Sequence, residues 1–525
     1  MPRSCTYPSF LFMTTEKKEK DWFRLKRYPH VGLPLEPSDR VWIEKYVTNK
    51  TKISKHAFSP FIHRKTETRK FRKEICHDGT RSNLRKPSNK ERELFYANHI
   101  DTNIYGYYSQ LISTEYEKKL LSEGISDCVT AYRRLKLNPD QENSRNKCNI
   151  DFANEIFSYI KSSTESELIA ITFDIKGFFD NLNHKKLKKY WRYVMDANPD
   201  LPEDHYNVYR NITKFSYVEE NQLFNTCKTK ILVERHPNMI KSVPVKRKIH
   251  LRNKRAVAYC DKDEIENIRN SGLIKANKYF YDFANKKVLG LRDKGIPQGS
   301  PISATLANLY LIDFDKFANE YLTNFGGIYR RYSDDMVAIC KAEHEKDVID
   351  FFTKKIKEYC LEIQTSKTQV FKFIYSEKDK RYFCFEKNEN TKKLQTNTNF
   401  EYLGFQFDGR YTLLKNSSVA GYYRKMKKSF ARGHFHTFHN NTNTKGELFK
   451  SRLYKRFTHV GSERRRVYTR DKNHKDRFVL SHKYDWGNYL TYATLSANII
   501  SDNKILGQLK RHWNKFHKLV KAVVP

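Results

Sequence analysis

The sequence lacks the devices of small metal-stapled or secreted domains. Its nine cysteines fall at 5, 76, 128, 148, 227, 260, 340, 360 and 384, no two closer than 20 residues, so no CxxC knuckle or ribbon can form locally. An odd, scattered set of thiols suits a reducing compartment. Long apolar runs are missing too. The opening stretch MPRSCTYPSFLFMTTEKKEK offers only Phe10 to Met13, too short for a signal-peptide core, and nothing approaches the ~18 residues of a membrane span. The expected location is therefore cytoplasmic, with no membrane partner. A Walker loop is also absent: Gly290 to Gly295 has the right gap but continues Ile296-Pro297 rather than Lys-Ser/Thr. No tandem repeat is present.

Negative charge is the scarcest commodity. Sixty Asp+Glu face 99 Lys+Arg, a formal net charge of +39. The deficit is concentrated at the ends: residues 1–100 hold 23 basic and 11 acidic side chains, and residues 421–525 hold 24 and 6. The middle of the chain is left with an excess of only +9. Basic flanks around a more balanced centre point to a catalytic core whose ends hold a polyanion, with nucleic acid the leading partner. What the chain does have is aromatic residues, 35 Phe, 34 Tyr and 5 Trp, which excludes a disordered basic tail. At 525 residues it is long enough for more than one domain.

Several elements are legible from periodicity. Leu168 to Phe173 reads as a buried strand closed by Asp174. Ser300 to Phe317 has apolar residues at helical spacing, with Pro301 where a first turn tolerates it. Gly327 to Cys340 reads as strand, polar tip, strand, and Asp347 to Cys360 as an amphipathic helix. Leu506, Leu509, Trp513, Phe516, Val520 and Val523 step by three and four, which predicts one amphipathic helix packed into the core. Asn388 to Asn399 and Asn440 to Lys445 read as loops.

Phosphoryl transfer by two metals needs hard oxygen ligands gathered at one point. A carboxylate ending one strand beside a carboxylate pair at a hairpin tip supplies them. Asp174 in FDIKGFFDNLNH and Asp334-Asp335 in RRYSDDMVAI have those two positions. Between them, Gly295, Pro297, Gly299 and Pro301 in GIPQGSPISATLANLY make a stiff turn before a helix.

The ordered set FDIKGFFDNLNH, GIPQGSPISATLAN, RRYSDD, LEIQTSKTQV and FEYLGFQF resembles palm motifs A to E of reverse transcriptases, over about Arg92 to Gly409. It is most similar to bacterial enzymes of the group II intron and retron type. The flanks RYPHVGLPL, ELFYANHIDTNIYGYYSQL and NYLTYATL…QLKRHW further resemble the defence-associated "unknown group" reverse transcriptases.

The resemblance implies an α+β right-hand polymerase of fingers, palm and helical thumb. Its expected divisions are a basic extension at 1–90, fingers and palm at 91–400, and primer grip, thumb and basic tail at 401–525. Asp174, Asp334 and Asp335 become the catalytic metal ligands, with the Ile175 carbonyl as a further one, for two Mg²⁺ ions or Mn²⁺ in their place. Phe179 matches the aromatic gate against a 2′-hydroxyl. Gln298 and Gly299 match positions against nucleotide and template, and Lys367 the lysine that assists the pyrophosphate leaving group. Arg133 and Arg134, with Lys136 and Lys147, fall where such enzymes grip the triphosphate, RNA-backbone contact being the alternative. Tyr402, Leu403 and Gly404 match the primer grip.

Three features depart from the pattern. Asp174 and Gly295 are 121 residues apart, which implies an insertion at about 203–285 that includes the basic run Lys241 to Arg255. No HNH or zinc pattern follows the thumb, so no nuclease domain is expected. His434, His436 and His439 lack a neighbouring Cys or acid and are read as packed or phosphate-facing. The function expected is RNA-directed DNA synthesis on a bound structured non-coding RNA in bacterial antiphage defence, with dNTPs as substrates and cDNA as product. Protein-primed or untemplated DNA synthesis, an RNA-dependent RNA polymerase and a non-catalytic RNA scaffold are the alternatives, and a homo-oligomer is left open.

Overall fold

The computed structural model describes residues 22–75, 81–141, 144–236, 239–277, 279–282, 287–387, 393–396, 398–439, 448–463, 465–470, 477–485 and 487–523. The opening stretch, the loop at 440–445, part of that at 388–399, and Cys5 and Cys76 lie outside them. None of the helices described is long and apolar enough to cross a membrane. The chain is mixed α and β, as expected, and falls into two compact units.

One unit comprises residues 1–133, 172–338 and 344–368. The strand Glu167–Asp174 ends in it, beside Asp335–Lys341, which in turn neighbours Ile328–Tyr332. The expected hairpin at 327–340 is thus formed. The helix Glu345–Glu358 buries Val348, Phe352 and Ile356 at its four-residue spacing. Phe352 stacks on Phe173 (centroids 4.7 Å, planes 5° apart) and meets Phe314 edge-on at 5.7 Å. Residues 300–317 form two helices rather than one, Ser303–Tyr310 and Ile312–Thr323, with Pro301 in the turn before them. The apolar spacing runs unbroken through Leu311, so periodicity alone carries no mark of the break.

Strands from residues 30–96 and strands from the segment at 203–285 are built together. His30–Val31 pairs in parallel with Ala256–Cys260, in a sheet completed by Ile231–His236 and Met239–Val243. Phe61–Ile75 pairs in parallel with Ser216–Glu219, between Arg81–Tyr96 and the strand Ser216–Glu219 that leads to Ile274–Ala276. One apolar core serves both sheets, and includes Val31, Ile62, Val218, Leu223, Ile231 and Tyr259. Strand partners this far apart in sequence leave no local signal.

The second unit comprises residues 134–171, 339–343 and 369–525. Gln369–Ser376 and Arg381–Lys387 form an antiparallel pair, and Phe400–Tyr402, Phe405–Phe407 and Thr412–Leu414 a small sheet. Phe157, on the helix Asn149–Ser162, stacks on Phe407 at 4.9 Å. The long helix Asn416–Phe438 meets the last helix through Phe430 and Phe516, 5.1 Å apart. The C-terminal stripe is interrupted. Lys504–Gly507 and His512–Val523 are separate helices, with Leu509 buried in the turn between them and Leu506 39% exposed. Gly507, a poor helix former, sits at the break. His434 and His436 lie on the long helix, where the His434 ring is 4.8 Å from that of Phe438.

Candidate active site

Asp174 is the last residue of a strand whose centre is apolar and buried (Leu168 to Ile171, then Phe173), so the carboxylate emerges where the strand leaves the core. The backbone beyond it is fixed on one side by Gln364, whose N–H donates to the Asp174 carbonyl at 2.8 Å, and by Lys176 N–H to the Glu362 carbonyl at 2.9 Å. The same connection, from Leu361 to Lys367, delivers Lys367. Its Nζ donates to Asp174 Oδ1 at 2.8 Å.

On the other side stands the turn Tyr332-Ser333-Asp334-Asp335. Ile175 N–H donates to the Asp334 carbonyl at 3.3 Å, which brings the two acidic segments together. Ser333 adopts φ +63°, a left-handed conformation uncommon for a residue with a side chain. Arg331 supports it. Its fully buried guanidinium donates to the Ser333 carbonyl (3.1 Å), to Asp315 Oδ1 (2.7 Å) and Oδ2 (2.6 Å), and to Asn308 Oδ1 (3.3 Å). Burial alone would lower the Arg331 pKa, but the Asp315 carboxylate outweighs it and raises the value. Asp315 also accepts from the Tyr329 hydroxyl at 2.9 Å. Strain at the acidic tip is therefore held by a dry ion pair beneath it.

The structure brings Asp174, Ile175, Asp334, Asp335 and Lys367 to neighbouring strand ends. Among the described residues, no three His, Cys, Asp or Glu side chains form a ready-made metal cluster. The donors present are carboxylate and carbonyl oxygens with no thiol or imidazole, the chemistry of a hard divalent cation that keeps part of its water. Asp174, Asp334, Asp335 and the Ile175 carbonyl are the groups that would hold it.

The glycine-rich turn is fastened to this floor through backbone. Gly295 N–H donates to the Leu182 carbonyl and Ile296 N–H to the Phe179 carbonyl, both at 2.9 Å. Gly295 has φ +95°, and a Cβ there would lie 2.9 Å from the Asp180 carbonyl oxygen. Phe95 N–H donates to the Gln298 carbonyl at 2.8 Å. At Gly299, with φ +117°, a Cβ would lie 2.7 Å from the Phe95 carbonyl oxygen. No side chain fits at either glycine. His184 closes the joint from below, its Nε2 2.8 Å from the Gly295 carbonyl; burial lowers its pKa, so the ring donates as a neutral imidazole. Phe178 is buried while Phe179 next to it is only half-buried, the rings 5.7 Å apart. Of the two, Phe179 is the one left with surface for a ligand.

The other expected contacts divide. Arg133 is a correction: its side chain is 2% exposed and all its donors are committed internally. Nε and Nη2 donate to Glu117 at 2.8 and 2.6 Å, Nη1 to the Val129 carbonyl at 2.6 Å and to the Ser126 carbonyl, and Nη2 to Ser126 Oγ at 3.0 Å. No donor remains for a triphosphate. Arg134 is exposed, whereas Lys147 is paired with Glu155 at 2.6 Å. In the second unit Tyr402 ends one strand of a tight hairpin, with Leu403 (φ +44°) and Gly404 (φ +92°) at its tip. The Leu403 carbonyl accepts from Asn149 Nδ2 at 3.2 Å, and the Gly404 carbonyl from Lys415 N–H at 2.9 Å.

Residues 263–407 match the family described as "Reverse transcriptase (RNA-dependent DNA polymerase)". That stretch is similar to a reverse transcriptase domain. The match includes Gln298, Gly299, Asp334, Asp335, Lys367 and the hairpin at 402–404, whereas Asp174 and Phe179 precede it. With that domain, the mixed helix-and-sheet fold is of the right-hand polymerase class. No curated protein matches the chain significantly. Solved structures similar to parts of it include apo telomerase from Candida tropicalis (12% identity, TM-score 0.36, 80% of this chain and 62% of that one). Another is telomerase from Candida albicans in complex with a TWJ fragment of telomeric RNA (12%, 0.35, 79% and 57%). The chain spans about three-fifths of the length of these proteins.

Arg331 and Asp315 were missed in the sequence. A signal was available for Arg331: it shares the inward face of Ile328–Tyr332 with buried Tyr329, and a cation at an inward strand position demands a partner. Phe95, whose backbone braces the glycine-rich turn, had no such signal.

Proposed function

We propose that this protein is an RNA-directed DNA polymerase. The observation that carries the reading is the placement of Asp174 and the Asp334-Asp335 turn at adjoining strand ends, tied by the hydrogen bond from Ile175 N–H to the Asp334 carbonyl. Two Mg²⁺ ions held by Asp174, Asp334, Asp335 and the Ile175 carbonyl would supply the Lewis acidity for attack of a 3′-hydroxyl on a dNTP. Lys367 is placed to meet the negative charge that develops on the departing pyrophosphate. Phe179 offers a half-buried ring where a 2′-hydroxyl would be excluded, and Gln298-Gly299 a narrow backbone shelf for nucleotide and template.

The basic flanks and their likeness to defence-associated bacterial enzymes extend the reading. The template is a structured non-coding RNA bound by the protein in the cytoplasm, and the cDNA serves antiphage defence. Asp334→Asn with Asp335→Asn is expected to abolish dNTP incorporation on an RNA template while leaving RNA binding in place. Incorporation that survives this double substitution would sink the assignment. Sequencing the RNA and DNA that copurify with the protein identifies template and product.

A further inference from the structure

The strands Phe61–Ile75 and Arg81–Tyr96 form an antiparallel ribbon in continuous register from Ile62↔Tyr96 to Lys73↔Arg85. Only its base belongs to a larger sheet. Phe61, Ile62 and His63 pair with Ser216–Glu219, and Arg81–Tyr96 is the edge strand. Among the described residues, the ribbon from Arg64 outward has two strands and two open edges. A two-stranded ribbon in water is marginal by itself, and an open edge invites pairing unless charge protects it. General solubility would be served by any mixture of charges.

The charges are not mixed. Residues opposite one another in the register share a face, and the faces alternate along each strand. One face takes Arg64 and Leu94, Thr66 and Arg92, Thr68 and Lys90, Lys70 and Ser88, Arg72 and Lys86. The register places six basic residues there and no acidic one, and among the described side chains the face carries Arg64, Lys86 and Arg92. The opposite face takes Lys65 and Glu93, Glu67 and Glu91, Arg69 and Asn89, Phe71 and Pro87, Lys73 and Arg85. All three acidic residues of the register, Glu67, Glu91 and Glu93, fall there, and Lys65 pairs with Glu93 at 3.3 Å. Among the described residues, the basic face meets acids at its two ends, Arg64 with Glu220 at 3.8 Å and Lys86 with Glu74 at 2.5 Å, beyond the regular register.

We infer that this face is an arm for RNA, seated on the phosphate backbone of a helical stem. The six steps from Lys86 to Arg92 span about 20 Å at the ordinary strand rise, with Arg64 on the neighbouring strand. Residues on one strand face recur about every 7 Å, a spacing suited to a row of phosphates. Arg, Lys, Thr and Ser dominate the face and no aromatic residue falls on it, so it offers backbone contact and neither base stacking nor a sequence-reading edge. The inference rests on the reading of RNA as the template partner, yet it is tested by binding alone.

The test uses the full chain and a fluorescently labelled RNA stem-loop of arbitrary sequence, titrated from 50 to 200 mM salt. Arg64→Gln, Lys86→Gln and Arg92→Gln together remove three charges from the basic face. Lys65→Gln, Arg69→Gln and Lys73→Gln remove three from the other. The first variant is expected to lower the slope of log K against log salt by about 2–3 and the second by less than one. Should either triple variant not fold, Thr68→Glu and Asn89→Glu add one carboxylate to each face in turn, both at exposed positions. Thr68→Glu alone is expected to weaken binding several-fold. Equal effects from the two faces, an unchanged salt slope, or an effect seen on a DNA duplex but not on the RNA stem would overturn the proposal. Loss of polymerisation in the Asp334→Asn, Asp335→Asn variant with RNA binding intact keeps this outcome separate from that of the activity.

Discussion

Lys367 Nζ lies 2.8 Å from Asp174 Oδ1, the ammonium resting on the carboxylate that ends the central strand. A divalent cation and this ammonium compete for the same oxygen. Both side chains are partly solvated, 37% and 21% exposed, so the pair is worth no more than about 1 kcal/mol. Lys367→Met is therefore expected to lower the half-saturating divalent-ion concentration by up to about fivefold. In the proposed reaction it also removes the cation that would meet the leaving pyrophosphate, and turnover is expected to fall roughly 10²-fold. A metal titration of dNTP incorporation separates the two effects. Lys367→Arg keeps the charge without a readily given proton and is expected to recover only part of the turnover.

Arg331 and Asp315 form an ion pair with both side chains wholly buried. Arg331→Met leaves the Asp315 carboxylate without its cation and is expected to cost about 3–5 kcal/mol. Arg331→Met combined with Asp315→Leu removes both charges and is expected to regain most of that stability. Activity should not return with it, because the Ser333 carbonyl has lost the guanidinium that holds the acidic turn. Urea denaturation and dNTP incorporation on the same two proteins check both halves. A double variant that recovers full activity would show that the turn needs no such support.

The placement of three carboxylates at adjoining strand ends was legible because each follows a local pattern: an apolar strand closed by an acid at Asp174, and two apolar strands around a polar tip at Asp334-Asp335. Phe179, Lys367 and the glycine-rich turn were legible through the same motifs. Arg133 was misread, since a cation in a basic segment looks the same whether it faces solvent or, as here, Glu117 and the carbonyls of Ser126 and Val129. The joint construction of residues 30–96 and 203–285 was hidden for another reason. His30–Val31 finds its strand partner more than 220 residues away, at Ala258 and Cys260, and two-residue strands carry no period of their own. The break at Leu311 shows the converse, a pattern that continues where the backbone does not.

His30 and His99 offer the clearest dependence on pH. Both are buried, their rings 6.3 Å apart beneath Tyr28 and Tyr96. Burial lowers His30 to about 3, helped by His99, and lowers His99 to about 4. His30 Nδ1 accepts from Val31 N–H at 2.8 Å, a role open only to the deprotonated nitrogen. In the unfolded chain both rings return to an ordinary value near 6.5. Below that pH the unfolded state binds protons that the folded state refuses, so stability is complete above about pH 6.5 and is lost as pH falls toward 4. Two such groups give a slope of about 2.7 kcal/mol per pH unit, or about 3 kcal/mol between pH 7.5 and 5.5. Urea denaturation at these two values measures it. His30→Asn with His99→Gln, neutral at every pH, is expected to be less stable at pH 7.5 but to lose the share of the slope that these two rings supply, leaving only that of other buried rings such as His184. A slope undiminished in the double variant would place the titrating groups elsewhere.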